Sequence, residues 1–164
     1  MPARHFLTAA RASHAVYGSI IVLAVITGLD EASATPRESL VTIVGLAVAV
    51  ALSQINADAI GSTFRAARPL KREEWLEVSA NVVFGFAAAL VPAIFFVLAA
   101  VGVLSLGHAF SIAEWTGVAV IWVYVFAATR AAGLRLFQSL AWSVALTACG
   151  VGIVEAKLLA HPSV

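Results

Sequence analysis

Apolar residues form five long runs along the chain, separated by short polar segments. Most of these runs approach or exceed the roughly 20 residues that an α-helix needs to cross the hydrocarbon core of a bilayer. The pattern predicts an all-α fold, an integral membrane bundle of five transmembrane helices that forms a single domain over residues 1–164. The predicted spans cover about 13–29, 40–64, 75–106, 115–129 and 136–159.

The second predicted span has an apolar first half and a polar second half. Steps of three and four residues place side chains on one helix face, and here that face holds Ala47, Ala51, Gln54, Asp58 and Gly61. An acidic residue near the centre of a spanning helix costs roughly 2.5 to 3.5 kcal/mol, so Asp58 needs polar partners. We expect the other spans to pack around this face, because small residues let a second helix approach closely.

The segments between the runs contain most of the turn-forming and charged residues. We predict a loop over 30–39 with a helix restarting near Glu38, a basic turn over 65–74, a short loop over 107–114 and a second basic turn over 130–135. The third run is longer than a bilayer requires, so it tilts, kinks at Pro92 or projects beyond the headgroups. A proline there would also free a backbone carbonyl one turn earlier, which can line a cation path.

The composition is that of a membrane protein rather than a soluble one. Hydrophobic residues make up 62% of the chain, charged residues only 12%, and the mean hydropathy is +0.98, whereas about a quarter of a soluble domain is charged. The formal net charge of +1 gives no case for nucleic-acid binding. Cys149 is the single cysteine, so an intrachain disulfide is excluded. We expect membrane lipid as a partner, no resident cofactor and no enzymatic activity.

The distribution of cations predicts the orientation of the spans. Eight of the ten Lys and Arg residues fall on one side of the predicted membrane, and only Arg37 and Lys157 fall on the other. The positive-inside rule then places the N-terminus in the cytoplasm, the C-terminus outside and the chain in the inner membrane as a multi-pass protein. The alternative is that the first run is a signal peptide with a small-residue cleavage site at Ala32-Ser33-Ala34.

Candidate metal-binding residues come from the second and third spans. A short turn joins these spans, so they are antiparallel neighbours, and Asp58 and Asn81 should lie at similar depth. A cluster of oxygen atoms opening toward the cytoplasm is then predicted from Gln54, Asp58, Glu74, Glu77 and Asn81. Such oxygens suit hard or borderline divalent cations, or a proton relay. The structural alternatives are that Asp58 bonds a neighbouring helix and that the acids simply favour a helix N-terminus.

The second span resembles that of vacuolar iron transporter-like proteins, through the stretch Ala51-Leu52-Ser53-Gln54-x-x-x-Asp58-x-x-Gly61-Ser62. The segment Gly85-Phe-Ala-Ala-Ala-Leu-Val-Pro92 is similar to the Gly-x-x-x-Pro helix of that family, and Gly18 would fall in its glycine-rich first span. The resemblance implies a dimeric, proton-coupled exporter of ferrous or manganous ions.

The chain also departs from that family. The first span lacks the family's ion-binding Asp, Gln54 and Asp58 stand at the family's Met and Glu positions, and only a short turn replaces the long cytoplasmic metal-binding helices. The segment from Arg130 to His161 resembles small uncharacterised bacterial integral membrane proteins. Two functions therefore stay open: a homodimeric, proton-coupled transporter of divalent cations such as iron or manganese, and a non-transporting accessory or assembly protein that binds partner helices.

Overall fold

The computed structural model describes residues 9–29 and 34–160 of the chain. All regular secondary structure within these ranges is helical. The helices follow in the order α1 Ala9–Gly28, α2 Pro36–Ala66, α3 Arg72–Ala89, α4 Ala93–Ala100, α5 Leu106–Ala131 and α6 Leu136–Ala160. The all-α class predicted from the sequence is therefore confirmed.

Three helices are long and apolar enough to cross a membrane, namely α1 over Arg11–Gly28, α2 and α5. The pair α3 and α4 adds a fourth candidate if the two helices, which meet at an angle of 54°, count as one broken span. The described apolar part of α6, Leu136–Gly152, is shorter. These helices are those of a membrane-embedded protein, as the composition indicated.

Helix α1, rather than α2, lies at the centre of the bundle and contacts α2, α3, α5 and α6. Val22 and Ile26 of α1 join one core with α2 to α5, and Leu23 joins a second core with α5 and α6. Only 11% of the apolar window of α2 is buried, against 44% for α1. Helices α1, α3 and α4 pack against α2, whereas α5 and α6 pack mainly on α1 and on each other, so the expectation that all the other spans surround this face of α2 is wrong.

The inward-facing stripe of α2 is nevertheless the face identified in the sequence. Ala47 is buried in the first core, and Ala51 and Ile55 pack against it. Small residues at these positions let α2 approach its neighbours within the same chain. Ala47 and Ala51 are therefore used for packing inside the bundle.

The ends of α2 follow from local capping interactions. Thr35 is the N-cap: its side chain accepts from the Glu38 backbone N–H, and Glu38 accepts in return from the Thr35 backbone N–H, with Pro36 in the first turn. This reciprocal capping box satisfies N–H groups that the helix itself cannot pair. The helix thus begins at Pro36, two residues before the predicted restart. It ends at Ala66, and the left-handed φ of 50° at the next residue, Ala67, stops the helix.

The long third run is broken at Leu90–Pro92. Backbone bonds there run from Ala93 N to Leu90 O and from Ile94 N to Val91 O, so the break is a tight turn rather than a smooth bend. Of the three alternatives for this run, the kink at Pro92 is the one observed, and two helices, α3 and α4, take the place of one continuous helix over 75–106. The carbonyl expected to be freed by the proline, Ala88 O, accepts from Val91 N at 3.2 Å.

The loop predicted over 107–114 is wrong, because α5 already begins at Leu106. Ser105 is its N-cap, and the Ser105 hydroxyl accepts from the His108 backbone N–H. Ala109, Phe110 and Ala113 are buried in the first core, where Phe110 meets Phe96 edge to face at 4.9 Å. The polar residues at the start of this segment suggested a loop, although its apolar residues recur at the spacing of a helix.

The segments rich in cations meet at one end of the bundle, which we call the basic end. Ser13, near the start of α1, lines one cavity with Ala66 at the end of α2 and another with Ala132 beside the end of α5. The two basic turns predicted from the sequence, α2–α3 and α5–α6, are both confirmed as short connections there. Arg4, His161, most of the predicted cleavage site and the side chain of Lys157 lie outside the described residues.

Candidate functional site

A polar cavity of about 640 Å³ opens at the basic end between α1, α2 and α3. The residues that line it are Ser13, His14, Asp58, Ser62, Arg65, Ala66, Leu70, Glu74, Glu77, Val78 and Asn81. Asp58 and Asn81 thus share one cavity, as the short α2–α3 connection predicted. Two further predicted residues, Glu74 and Glu77, line it as well. We refer to this space as the polar cavity.

The partner of Asp58 is His14 of α1. The His14 Nε2 atom lies 2.8 Å from Asp58 Oδ2, and the exposed fractions of the two side chains are 9% and 38%. The imidazole is thus packed between helices, whereas the carboxylate still reaches the polar cavity.

Close packing of α1 against α3 holds His14 in this position. A Cβ atom at Gly85 would lie 2.5 Å from His14 Cβ and 2.8 Å from the Ala15 backbone N, so only glycine fits there. One turn further along α1, a Cβ at Gly18 would lie 3.1 Å from both Ala89 Cβ and Phe86 Cδ1. The backbones of the two helices therefore meet directly, and His14 has no room to move away from α2.

Arg11, one turn before His14 on α1, makes a polar contact with α3. Its Nε donates to Asn81 Oδ1 at 2.9 Å, and its guanidinium carbon lies 4.9 Å from the centre of the Phe84 ring. An arginine over an aromatic face is stabilised by the ring quadrupole. The Asn81 carbonyl oxygen already accepts a hydrogen bond from Arg11. The main role of Asn81 is therefore to position Arg11 in the site rather than to bind a ligand.

Glu74 belongs to the α2–α3 connection rather than to an open ligand set. Arg68 donates to both of its carboxylate oxygens, at 2.6 and 3.0 Å, and the Lys71 backbone N–H donates to Oε2 at 2.8 Å. These residues precede the apolar part of α3, which begins at Trp75. The bonds from Arg68, and then the bond from Lys71, lower the pKa of Glu74 to about 2, and Glu74 raises the pKa of Arg68.

The remaining predicted ligands differ in their placement. Glu77 is exposed and lines the polar cavity, whereas Gln54, one turn before Asp58 on α2, is half-buried and does not line it. Within the described residues, His, Cys, Asp and Glu side chains form no group of three that could hold a metal ion. Four of the five predicted residues therefore share the polar cavity, and the group that contacts the Asp58 carboxylate directly is the imidazole of His14.

The sequence did not lead us to His14 and Arg11, because we looked for partners of Asp58 only on the second and third spans. A usable signal was present: Arg11 and His14 are three residues apart and so share a face of the first span. They also lie at its predicted cytoplasmic end, at the depth where Asp58 of the neighbouring span needs a partner. Matching polar residues by depth between spans would have paired them.

The class that the fold and this cavity define is a helical, membrane-embedded protein with a polar cavity at one end. Comparison with protein-family models, with curated proteins and with solved structures found no match to the chain.

Proposed function

We propose that the chain is a five-span inner-membrane protein that carries a divalent cation, such as ferrous or manganous ion, in exchange for protons. In this proposal Asp58 binds the cation and His14 carries the exchanged proton. The observation that carries it is the 2.8 Å contact between His14 Nε2 and Asp58 Oδ2 beside the polar cavity. A titratable pair at membrane depth is costly to maintain and is a mark of ion and proton pathways.

The packing of the helices supports the proposal that α3 and α4 together cross the membrane once. Helix α5 ends at the basic end and has 26 residues, so its start lies about 39 Å away at 1.5 Å per residue. Helix α3 starts at the basic end, and only residues 101–105 separate α4 from α5. The pair therefore runs from one end of the bundle toward the other. With α6 as the fifth span, the basic end faces the cytoplasm.

Competition between the protonated imidazole of His14 and a cation for the Asp58 carboxylate supplies the coupling. When a divalent cation binds the carboxylate, it repels the imidazolium, which gives its proton to water in the polar cavity. The neutral imidazole is then itself a nitrogen ligand beside Asp58, and the exposed carboxylate of Glu77 in the cavity wall attracts the cation without joining the ligand set. Arg65, which also lines the cavity and bonds Ser62, opposes the cation and keeps its binding weak enough for release.

Flux measurements on reconstituted protein test this proposal. Vesicles that contain the purified protein and a pH-sensitive dye should take up Mn²⁺ and move protons in the opposite direction. Asp58→Asn should keep expression and stability but lose transport by about tenfold or more, since a charge-assisted interaction contributes roughly 1.5 to 3 kcal/mol. Glu73→Gln, which changes an exposed carboxylate outside the cavity, is the control. Normal flux from a stable Asp58→Asn protein would remove Asp58 from the mechanism.

The second candidate function is an accessory or assembly protein that binds partner helices. The observation that favours it is the exposure of α2, whose outer face is apolar and unpartnered within the described chain. In that case vesicles show no flux with any divalent cation, Asp58→Asn is nearly silent, and Asp58→Leu lowers the yield because it removes the bond to His14. A homodimer stays a prediction under both functions.

A further inference from the structure

We propose that the polar cavity also binds a zwitterionic α-amino acid with an apolar side chain, its ammonium on Asp58 and its carboxylate on Arg65. The two side chains carry opposite charges and line the same cavity. The cavity measures about 640 Å³, which is within the range of small-molecule sites. This ligand goes beyond the proposed cation, and its binding does not depend on transport.

Arg65 has donors left for the carboxylate of such a ligand. Its Nη2 donates to Ser62 Oγ at 2.9 Å, and its Nη1 lies 3.4 Å from the position that a Cβ at Gly61 would take. The guanidinium therefore lies back along α2, toward Asp58. A guanidinium has five N–H donors in a planar fork that matches a carboxylate. Within the described residues Arg65 forms no ion pair, so a ligand carboxylate meets a charge that is not already compensated.

Asp58 and Glu77 supply acceptors for the ammonium. Asp58 Oδ2 contacts His14 Nε2 at 2.8 Å, but the Asp58 side chain is still 38% exposed and lines the cavity. A carboxylate has about four acceptor sites, so the contact with His14 leaves others for a ligand. Glu77 is exposed on the facing wall of α3. An ammonium group carries three N–H donors and can therefore bond both carboxylates at once.

The spacing of the two charges along α2 fits an α-amino acid. Asp58 and Arg65 are seven residues apart, which is about 10.5 Å along the helix axis. Ser62, to which the guanidinium is bonded, lies about 6 Å from Asp58 along the same axis. An α-amino acid bonded at both of its charges joins protein atoms about 8 Å apart, from standard bond lengths and contact distances. This span lies between the two separations, whereas a single inorganic ion reaches only one of the two charges.

The rest of the cavity wall suits an apolar ligand side chain. Ala66, Leu70 and Val78 line the cavity together with the charged residues. An apolar side chain placed against them is removed from water, which favours binding. A zwitterion also pairs with both signs of charge, whereas a simple amine leaves Arg65 unpaired and a simple carboxylate leaves Asp58 unpaired. The lining therefore selects against ligands that carry only one of the two charges.

The test compares L-leucine with two analogues that each lack one charge, 4-methylpentanoate without the ammonium and 3-methylbutylamine without the carboxylate. Isothermal titration calorimetry measures the binding of each to the purified full-length protein in mild detergent. L-Leucine should bind at least about tenfold more tightly than either analogue, because each analogue loses one charge-assisted contact. Arg65→Gln should weaken L-leucine by a similar factor without weakening 3-methylbutylamine. Asp58→Asn should weaken L-leucine without weakening 4-methylpentanoate.

Matched controls separate this site from general attraction between charges. Arg72→Gln and Glu73→Gln change exposed charges that do not line the cavity, and neither should alter the binding of L-leucine. Arg65 is exposed, so Arg65→Gln decides the question even if Asp58→Asn does not fold. The absence of L-leucine binding, equal affinities for the three ligands, or equal effects of Arg65→Gln and Arg72→Gln would overturn the proposal.

Mn²⁺ flux measured on the same preparation distinguishes this site from the proposed cation exchange. Binding of L-leucine that depends on Arg65 in a protein without Mn²⁺ flux would support the amino-acid site and count against cation transport. Mn²⁺ flux in a protein that binds no L-leucine would overturn the amino-acid site alone. If both activities are present, L-leucine should slow Mn²⁺ flux, because the two ligands compete for Asp58.

Discussion

Gly85 lies where α3 crosses α1, and its missing side chain determines how closely these helices approach. The atoms in the way of a Cβ are the Cβ and carbonyl carbon of His14 and the backbone N of Ala15. None of these is the movable end of a flexible side chain. The same contact holds His14 against Asp58, so the close packing at Gly85 also fixes the geometry of the pair formed by His14 and Asp58.

We expect Gly85→Ala to destabilise the protein by about 1 to 3 kcal/mol, the usual cost of overpacking, and to weaken the contact between His14 and Asp58. Gly45→Ala is the matched control, because nothing lies within 4 Å of a Cβ at Gly45 in the exposed part of α2. Thermal unfolding in one detergent measures both variants. If the two variants are equally stable, the backbones of α1 and α3 do not meet directly at Gly85.

The connection between α2 and α3 is held by its own side chains, not by burial. Glu74 accepts from Arg68 and from the Lys71 backbone N–H, which closes the turn and starts α3. At the other end of the turn, Ala67 adopts a left-handed φ that α2 needs in order to stop. The boundary between α2 and α3 therefore depends on a few exposed polar contacts, and these contacts respond to pH.

Protonation of Glu74 should loosen this connection at low pH. Its folded pKa of about 2 lies below the usual 4.5, so its stabilising effect is present above pH 4.5 and is lost as the pH falls from there toward 2. We expect the loss of stability between pH 6 and pH 3 to be smaller in Glu74→Gln than in the wild type. The difference should be small because the pair is exposed to solvent.

Glu73→Gln provides the reference for that pH experiment, since Glu73 is the exposed neighbouring carboxylate and accepts no bond from Arg68. Thermal unfolding of the three proteins at the two pH values isolates the contribution of Glu74 from that of the other carboxylates. An identical pH response in Glu74→Gln and Glu73→Gln would show that the bond to Arg68 does not stabilise the folded state.

At the scale of the whole molecule, the property to test is how many times the chain crosses the membrane. We expect a reporter inserted at Gly102, in the connection between α4 and α5, to be active outside the cytoplasm, because α5 starts far from the basic end. A reporter after Val164 should also be active outside, and one inserted between Arg68 and Arg72 should be cytoplasmic. A cytoplasmic signal from Gly102 would make α3 and α4 a re-entrant pair and reduce the number of spans.

Much of this architecture could be predicted from local features of the chain. The apolar runs indicated the helices, the clusters of cations indicated the basic end, and Pro92 indicated the break between α3 and α4. The neighbourhood of Asp58 and Asn81 was also predictable, because a short turn forces consecutive helices to run side by side. These properties depend on periodicity, on composition and on residues close together in sequence.

Only the tertiary structure decided which helix lies at the centre and which residue meets Asp58. Helical periodicity tells which side chains share a face, but it does not tell which distant helix covers that face. Here α1 occupies the centre because Gly18 and Gly85 let it meet α3 at backbone distance, and this contact brings His14 to Asp58. The polar pair is thus a product of packing between residues 44 positions apart, whereas the helices that carry it are determined by the sequence itself.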